Sequence, residues 1–483
     1  MPPRNRDEAD AQLNSLLRER GLYSSDGTHD GFKHGIIHRS LQILSQQLYS
    51  TETRFIHEVI QNADDNAYGK STAHGSLPSF SLRLKSKDTS NDTEKYTLET
   101  SCNEDGFSIA QIAALTDIGA STKTKCKDVH GGFTGEKGVG FKAVFRVADA
   151  VYITSGHYNF KLDNSQDMIG ALRPIPCSYP APKGTLNYTR MMIELKSQGD
   201  FESIERDLEK VQPEILLFLR RLRRISVHTA TCNTTFTVAH NDDDEEYQGE
   251  MKTVTVQSTT EKRRKKTRYI FVRRIVDDMP VEPRRENIVT SEIVLAFPLH
   301  NDGSLILEPQ HVFAFLPINQ YGFRASPCPF LIQGDFVLTA SRESLAPTAW
   351  NEKLQEAIPS AFEAAVHRFN NIEGGLRYVW PQYLERLPTG IAFGKDLRAK
   401  LVKHLGSCQI LQSRAGLTSF QKPGDLVFVP PEFCLDGEPL IESQRLQEQL
   451  LALEYAPNGK LPSSLESLGV EVMNDERFVI QFH

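Results

Sequence analysis

The sequence predicts a mixed α/β protein, on three observations. Apolar residues recur at helical spacing in some segments, alternate with polar ones in others, and the two kinds of segment are interleaved along the chain. Composition is ordinary for a globular protein, 39% apolar and 24% charged, which excludes pervasive disorder and collagen-like or coiled-coil architecture. The 483 residues suffice for a substantial core and for roughly three domains of ~150 residues.

The elements follow in chain order. A short helix is expected near Ala11–Arg20 in a loosely held polar segment. A helical region starts at about His34 and breaks at Tyr49–Thr53, where Ser50 or Thr51 can cap the next helix, which runs to about Ala67. Strands are expected at Ser79–Leu84 and Tyr96–Ser101, then a helix at Ile109–Thr116. A Gly- and Lys-rich stretch, Gly119–Gly140, leads into a helix starting near Val139, and strands follow at Val151–Thr154, Phe160–Leu162 and Met191–Leu195. Phe201–Arg224 reads as one helix. Further strands are expected at Ser226–His228, Thr235–Val238, Val254–Gln257, Arg268–Val276, Ile293–Phe297 and Val312–Leu316, with a helical segment at Trp350–Arg368.

Net charge is −7, which argues against a nucleic-acid binder. The acidic Asp242–Glu246 and basic Lys262–Lys266 runs read as solvated hairpin ends, and no aromatic residue interleaves the basic run. The seven cysteines are scattered and form no Cys-x-x-Cys, so reduced thiols are expected, with neither a disulfide framework nor a zinc cluster. No apolar run reaches the ~18 residues of a membrane helix, and Met1–Glu8 lacks the apolar core of a secretory signal. An intracellular, cytoplasmic protein without membrane contact is expected, with nuclear entry through Lys262–Lys266 left open.

Three motif matches fail. Gly69-Lys70-Ser71 lacks the P-loop glycine five residues upstream, where Asp64 stands; His57-Glu58-x-x-Gln61 lacks the second histidine of a zinc-protease helix; Gly119-Ala-Ser121 ends on Lys123 instead of the glycine of a nucleophile elbow.

A constellation remains. In Arg54–Ala67, Ile56, Val59, Ile60, Ala63 and Ala67 form an apolar stripe, while Glu58, Asn62 and Asp65 fall on a second face at i, i+4 and i+7. An amide oxygen is a hard ligand suited to Mg²⁺, and a carboxylate one turn away can take a proton from attacking water; an amphipathic helix with a solvated polar face is the alternative. In Thr134-Gly135-Glu-Lys137-Gly138-Val139-Gly140-Phe141, three glycines precede an apolar helical pattern. Such a turn brings backbone N–H groups close to phosphates, with Lys137 and Lys142 adding charge, or it is simply a tight loop-to-helix junction. Asn103-Glu104-Asp105-Gly106 follows a strand and offers acidic and amide groups to an adenine amino group, or a plain turn.

In this order and spacing the elements resemble the ATPase superfamily shared by gyrase B, the 90-kDa heat-shock chaperones, histidine kinases and MutL. Leu44–Ser50, Gln61–Asp65, Gly135–Phe141 and Gln333–Glu343 are more closely similar to its sacsin and plant NO VEIN branch, over roughly residues 35–370.

The resemblance implies a two-layer α/β sandwich of the Bergerat type at residues 31–200, after a polar extension at 1–30. A transducer-like α/β domain at 201–380 and a small accessory domain at 381–483 would follow. It implies ATP and Mg²⁺ as ligands, with Glu58 as general base, Asn62 as the metal ligand and Asp65 beside it. Gly135, Lys137, Gly138, Val139, Gly140 and Phe141 would close over the phosphates, Thr189 would help hold adenine, and a mobile lid would begin at Gly119–Lys125. Gln333 or Arg342 would reach the γ-phosphate. The family's adenine-binding Asp falls in register on Cys102, so Asn103, Glu104 or Asp105, with Gly106, would substitute.

The function implied is ATP hydrolysis driving a chaperone-like conformational cycle with an unidentified protein client and homodimerisation. A nucleotide-binding scaffold or pathway accessory protein with little turnover is the alternative.

Overall fold

The computed structural model describes residues 2–22, 55–87, 95–117, 140–165, 169–180, 188–241, 251–260, 262–285, 288–318, 328–339, 344–372, 374–387, 396–415, 420–435, 438–440 and 449–475. They divide into two compact units. The first is drawn chiefly from Met1–Ala239 and Val254–Lys265, the second from His240–Thr253, Lys266–Thr339 and Glu343–His483. Mixed α/β architecture, with a large mixed sheet, is the observed class.

Unit 1 begins with α1 (Arg6–Glu19), earlier than expected. Asn5 caps it by accepting the Glu8 N–H, and Ala9, Leu13, Leu16 and Leu17 are buried. At its end the Arg20 guanidinium donates to the carbonyls of Ala113 at 2.7 Å and Thr116 at 3.0 Å. Those carbonyls lie at the end of α4 (Ile109–Leu115), a helix opened by a reciprocal Ser108–Gln111 capping box. Between α1 and α4 lie α2 (Phe55–Asp64) and the short α3 (Gly69–Ala73).

The strands are β1 (Ser79–Lys87), β2 (Lys95–Cys102), β3 (Ala148–Ser155), β4 (Tyr158–Asp163), β5 (Ile175–Pro176), β6 (Thr189–Leu195), β7 (Arg224–His228) and β8 (Asn233–Asn241), ordered β8-β7-β1-β2-β6-β3-β4-β5. Only β1 and β7 run parallel among these neighbours. Alternation sorts the faces of β1 and β2. Leu82, Leu84, Leu98 and Cys102 are buried, while Lys85 and Glu99 pair at 2.8 Å on the other face. Tyr96, on the buried face, stacks 5.1 Å from Phe201 of α5 (Gln198–Glu209).

The expected single helix at Phe201–Arg224 is instead α5, the four-residue α6 (Ile215–Phe218) and the start of β7. Pro213 has no N–H to donate and disfavours helix before it. Beyond α6, the N–H groups of Arg220, Arg221 and Leu222 are taken by the Asp64 carboxylate at 2.8–2.9 Å. The helix expected from Val139 is a 3₁₀ segment, Gly140–Arg146.

The strand expected at Val254–Gln257 is β9 (Met251–Ser258). In unit 2, β10 (Arg263–Val276) pairs with β11 (Ser291–Leu299) from Arg268 onward. Next come β14 (Leu331–Gly334) and then β12 (Val312–Ala314), parallel to β14 and followed by β13 (Leu316–Pro317). Phe315 has φ of 62°, which interrupts the strand expected across Val312–Leu316. Phe297 packs against Phe330, Phe362, Phe369 and Tyr383, with ring centroids 5.0–5.7 Å apart. The expected helix at Trp350–Arg368 is two, α7 (Ala349–Glu356) and α8 (Ile358–Asn371). Among the C-terminal residues, Leu401, Leu405, Leu426 and Leu465 join this same core.

No helix among the described residues is long and apolar enough to cross a membrane. The six described cysteines are free thiols.

Candidate functional site

α2 is buried almost all round. Ile56, Val59, Ile60 and Ala63 turn inward as the apolar stripe requires, yet Glu58 is also only 5% exposed, so the polar face is not a solvated one. Ala67 departs from the stripe: the helix ends at Asp64, and the exposed Ala67 gives its carbonyl to the Asp105 N–H at 2.8 Å. Asn62 and Asp65 are half-buried. The Asp65 carbonyl accepts from the Arg221 guanidinium at 2.6 Å. α2 packs against the 3₁₀ segment Gly140–Arg146, which places Phe141 and its neighbours beside the helix that carries Glu58 and Asn62. Gly135, Lys137, Gly138, Val139, the expected lid start Gly119–Lys125 and Arg342 lie outside the described residues.

The turn after β2 separates three acidic or amide residues that the sequence left equivalent. Asn103 is a brace: its amide oxygen accepts the Ser79 N–H at 2.7 Å and its nitrogen donates to Leu77 O at 2.9 Å. Asp105 caps α3, its carboxylate accepting the N–H groups of Gly69 and Lys70 at 2.9 and 2.8 Å. Glu104 is different. It is 4% exposed, and neither carboxylate oxygen has a hydrogen-bond partner of good geometry. Burial pushes its carboxyl up to about 7, against weaker stabilisation of the charge by the nearby Thr189 hydroxyl and Asn66 amide.

Around Glu104 the supports are built in. Cys102 is the cross-strand partner of Thr189. Burial holds the Cys102 thiol protonated, the Glu104 charge adding to the effect, and the thiol lies 3.0 Å from the Tyr68 hydroxyl, which donates to Ala63 O at 2.7 Å. The Thr189 and Ser155 hydroxyls are 2.7 Å apart, and Ser155 also accepts the Phe107 N–H at 2.7 Å. Gly106 joins these at φ of 97°, a left-handed conformation in which a side chain would be strained. Asn66 is held by the Gln111 amide at 3.2 Å. Asn66, Ser155 and Tyr68 were not singled out from the sequence: Asn66 stands inside the quoted helix motif, whereas nothing local marks the other two.

Two of the residues expected near the phosphates have hydrogen-bond partners within the chain. Lys142 is buried, donating to the carbonyls of Leu115 and, at 3.2 Å, Ala171. Burial lowers its ammonium to about 7, helped by the Arg20 charge. Gln333, in unit 2, accepts the Phe315 N–H at 2.8 Å and donates to Gly334 O at 3.2 Å.

No family model matches the chain. Protein NO VEIN of Arabidopsis thaliana is 30% identical over 388 residues, which covers 74% of this chain and 12% of that protein's length. Over about three quarters of its length the chain is therefore similar to one small part of a plant NO VEIN protein.

Proposed function

We propose that unit 1 is a Bergerat-type module that binds ATP with Mg²⁺ and hydrolyses it. The observation that carries this reading is Glu104, a buried carboxylate with both oxygens unpartnered. Such a group is costly and persists where it serves a ligand. The exocyclic amino group of adenine would donate to it, with the Thr189 hydroxyl alongside. Guanine offers a carbonyl oxygen at that position of its edge, which a carboxylate repels. The neighbouring Cys102, a protonated thiol, leaves Glu104 to supply the charge.

The donor set of α2 fits the rest of the ligand. The Asn62 amide oxygen is a hard donor for Mg²⁺, which when bound neutralises phosphate charge. Glu58 would orient the attacking water and take its proton. The glycine run ending at Gly140 would offer backbone N–H groups to the phosphate oxygens. Turnover would change the arrangement of this module and drive a chaperone-like cycle on a protein partner.

Calorimetric titration with ATP and GTP in Mg²⁺, beside a phosphate-release assay, tests the proposal. ATP should bind and GTP should not. Glu58→Gln should keep ATP binding and lower phosphate release by about 100-fold, and Asn62→Ala should abolish the Mg²⁺ dependence of binding. Release by Glu58→Gln at the unaltered rate would remove the base. ATP binding without any release in the unaltered protein would leave a nucleotide-gated scaffold, and no binding would end the proposal.

A further inference from the structure

Unit 2 brings together donor residues far apart in sequence. Glu363 and His367 stand at i and i+4 on α8, so both project from one face. α8 packs against the helix Leu397–Leu405, which carries His404. Beyond its end the chain makes one more tight turn, closed by the Cys408 N–H on Leu405 O at 3.0 Å. Gly406 within that turn lies so close to the Leu468 carbonyl that a Cβ would sit 3.0 Å from it, which fixes the path of the backbone. Cys408 is thereby folded back beneath His404, its thiol donating to His404 O at 3.2 Å.

The donor atoms converge. His404 Nε2 is 2.8 Å from one Glu363 oxygen, and His367 Nε2 is 3.8 Å from the other. One donor atom each from Glu363, His404 and Cys408 lie mutually within 4.8 Å. In a tetrahedral zinc site, bond lengths of roughly 2.0–2.3 Å put ligand atoms roughly 3.3–3.8 Å apart, so small side-chain rotations would close this set. A Glu–His ion pair alone needs neither the thiol nor the turn that delivers it.

We propose that Glu363, His404 and Cys408 form a site for a zinc-class divalent cation, with a fourth position open to water and His367 steadied by the second Glu363 oxygen. The mixture of carboxylate, imidazole and thiol suits Zn²⁺; Mg²⁺ and Ca²⁺ prefer oxygen alone. Burial would raise the Glu363 carboxyl, but the His404 and Cys408 hydrogen bonds outweigh it and keep the group ionised, as a ligand must be. Burial and the neighbouring Glu363 hold the thiol up at about 11, so binding displaces the Cys408 proton to solvent as the metal–sulfur bond forms. All three groups are half-buried, which leaves an entry path. The proposal is independent of the nucleotide site in unit 1.

Cobalt(II) titration of the full chain under reducing conditions tests it, because a cobalt–thiolate bond gives a near-ultraviolet charge-transfer band. The unaltered protein should show that band, saturate at one equivalent and lose it to added Zn²⁺. Cys408→Ser should lose the band, and His404→Gln should weaken binding by at least about tenfold, both retaining the circular-dichroism spectrum of the unaltered protein. Absence of the band in the unaltered protein, its persistence in Cys408→Ser, or unchanged affinity in His404→Gln would each overturn the site.

Discussion

The Asp64 carboxylate accepts the backbone N–H of Leu222 at 2.9 Å, and with it those of Arg220 and Arg221. The helix that carries Glu58 and Asn62 is thus tied, at its last residue, to the turn that starts β7. The Asp64 side chain is fully buried, so its removal strands three backbone donors away from water. Asp64→Ala should destabilise unit 1 by about 3 kcal/mol or more, read as a lowered denaturation midpoint. Asp64→Asn, which keeps one acceptor oxygen, should cost less.

Glu104 should set a pH dependence of both stability and binding. Its carboxyl is raised from 4.5 to about 7 in the folded chain, so the folded state holds the proton more tightly than the unfolded one. The associated stability is complete below about 4.5 and is lost as pH rises through 7. The full effect is about 3 kcal/mol. Glu104→Gln should therefore stabilise the protein at pH 8 and flatten its melting profile between pH 5 and 8, measured by thermal denaturation. ATP affinity should move the other way, weakening by about tenfold per pH unit below 7, because the protonated carboxyl offers the amino group one acceptor fewer.

Lys142 has the opposite sign. Its ammonium is lowered from 10.5 to about 7, so the unfolded chain binds the proton more tightly. Stability from this group is present above about 10.5 and is lost as pH falls through 7. Lys142→Met should remove that dependence, with the largest gain relative to the unaltered protein at pH 6. Its nucleotide affinity should change less than twofold, since the buried ammonium is held by two carbonyls.

Gly170 passes against the chain at Asp163, where a Cβ would fall 1.6 Å from the Asp163 carbonyl oxygen. Backbone cannot yield as a side-chain tip does. Gly170→Ala should cost about 3 kcal/mol, seen in chemical denaturation, and should loosen the segment whose Ala171 carbonyl receives Lys142.

Much of the fold was legible locally. Alternation marked β1, β2, β3, β4 and β6 to within a few residues, and the helix expected at Ile109–Thr116 is α4, whose Ser108–Gln111 capping box the structure added. The apolar spacing of Ile56, Val59, Ile60 and Ala63 marked α2. In part of the helix expected at Phe201–Arg224 a distant group intervenes: Asp64, far away in sequence, takes the N–H groups of Arg220, Arg221 and Leu222.

The sequence by itself determined the mixed α/β class, the helix bearing Glu58 and Asn62, and the short list Asn103, Glu104 and Asp105, because periodicity and turn chemistry act over a few residues. Tertiary structure gave those three different surroundings, since Asn103 and Asp105 commit their hydrogen-bonding groups to the backbone around the start of β1 and to α3, while Glu104 is buried with neither oxygen in a hydrogen bond of good geometry. It also joined Glu363 to His404 and Cys408, which no spacing rule would connect. Burial and pairing are properties of what arrives from elsewhere in the chain.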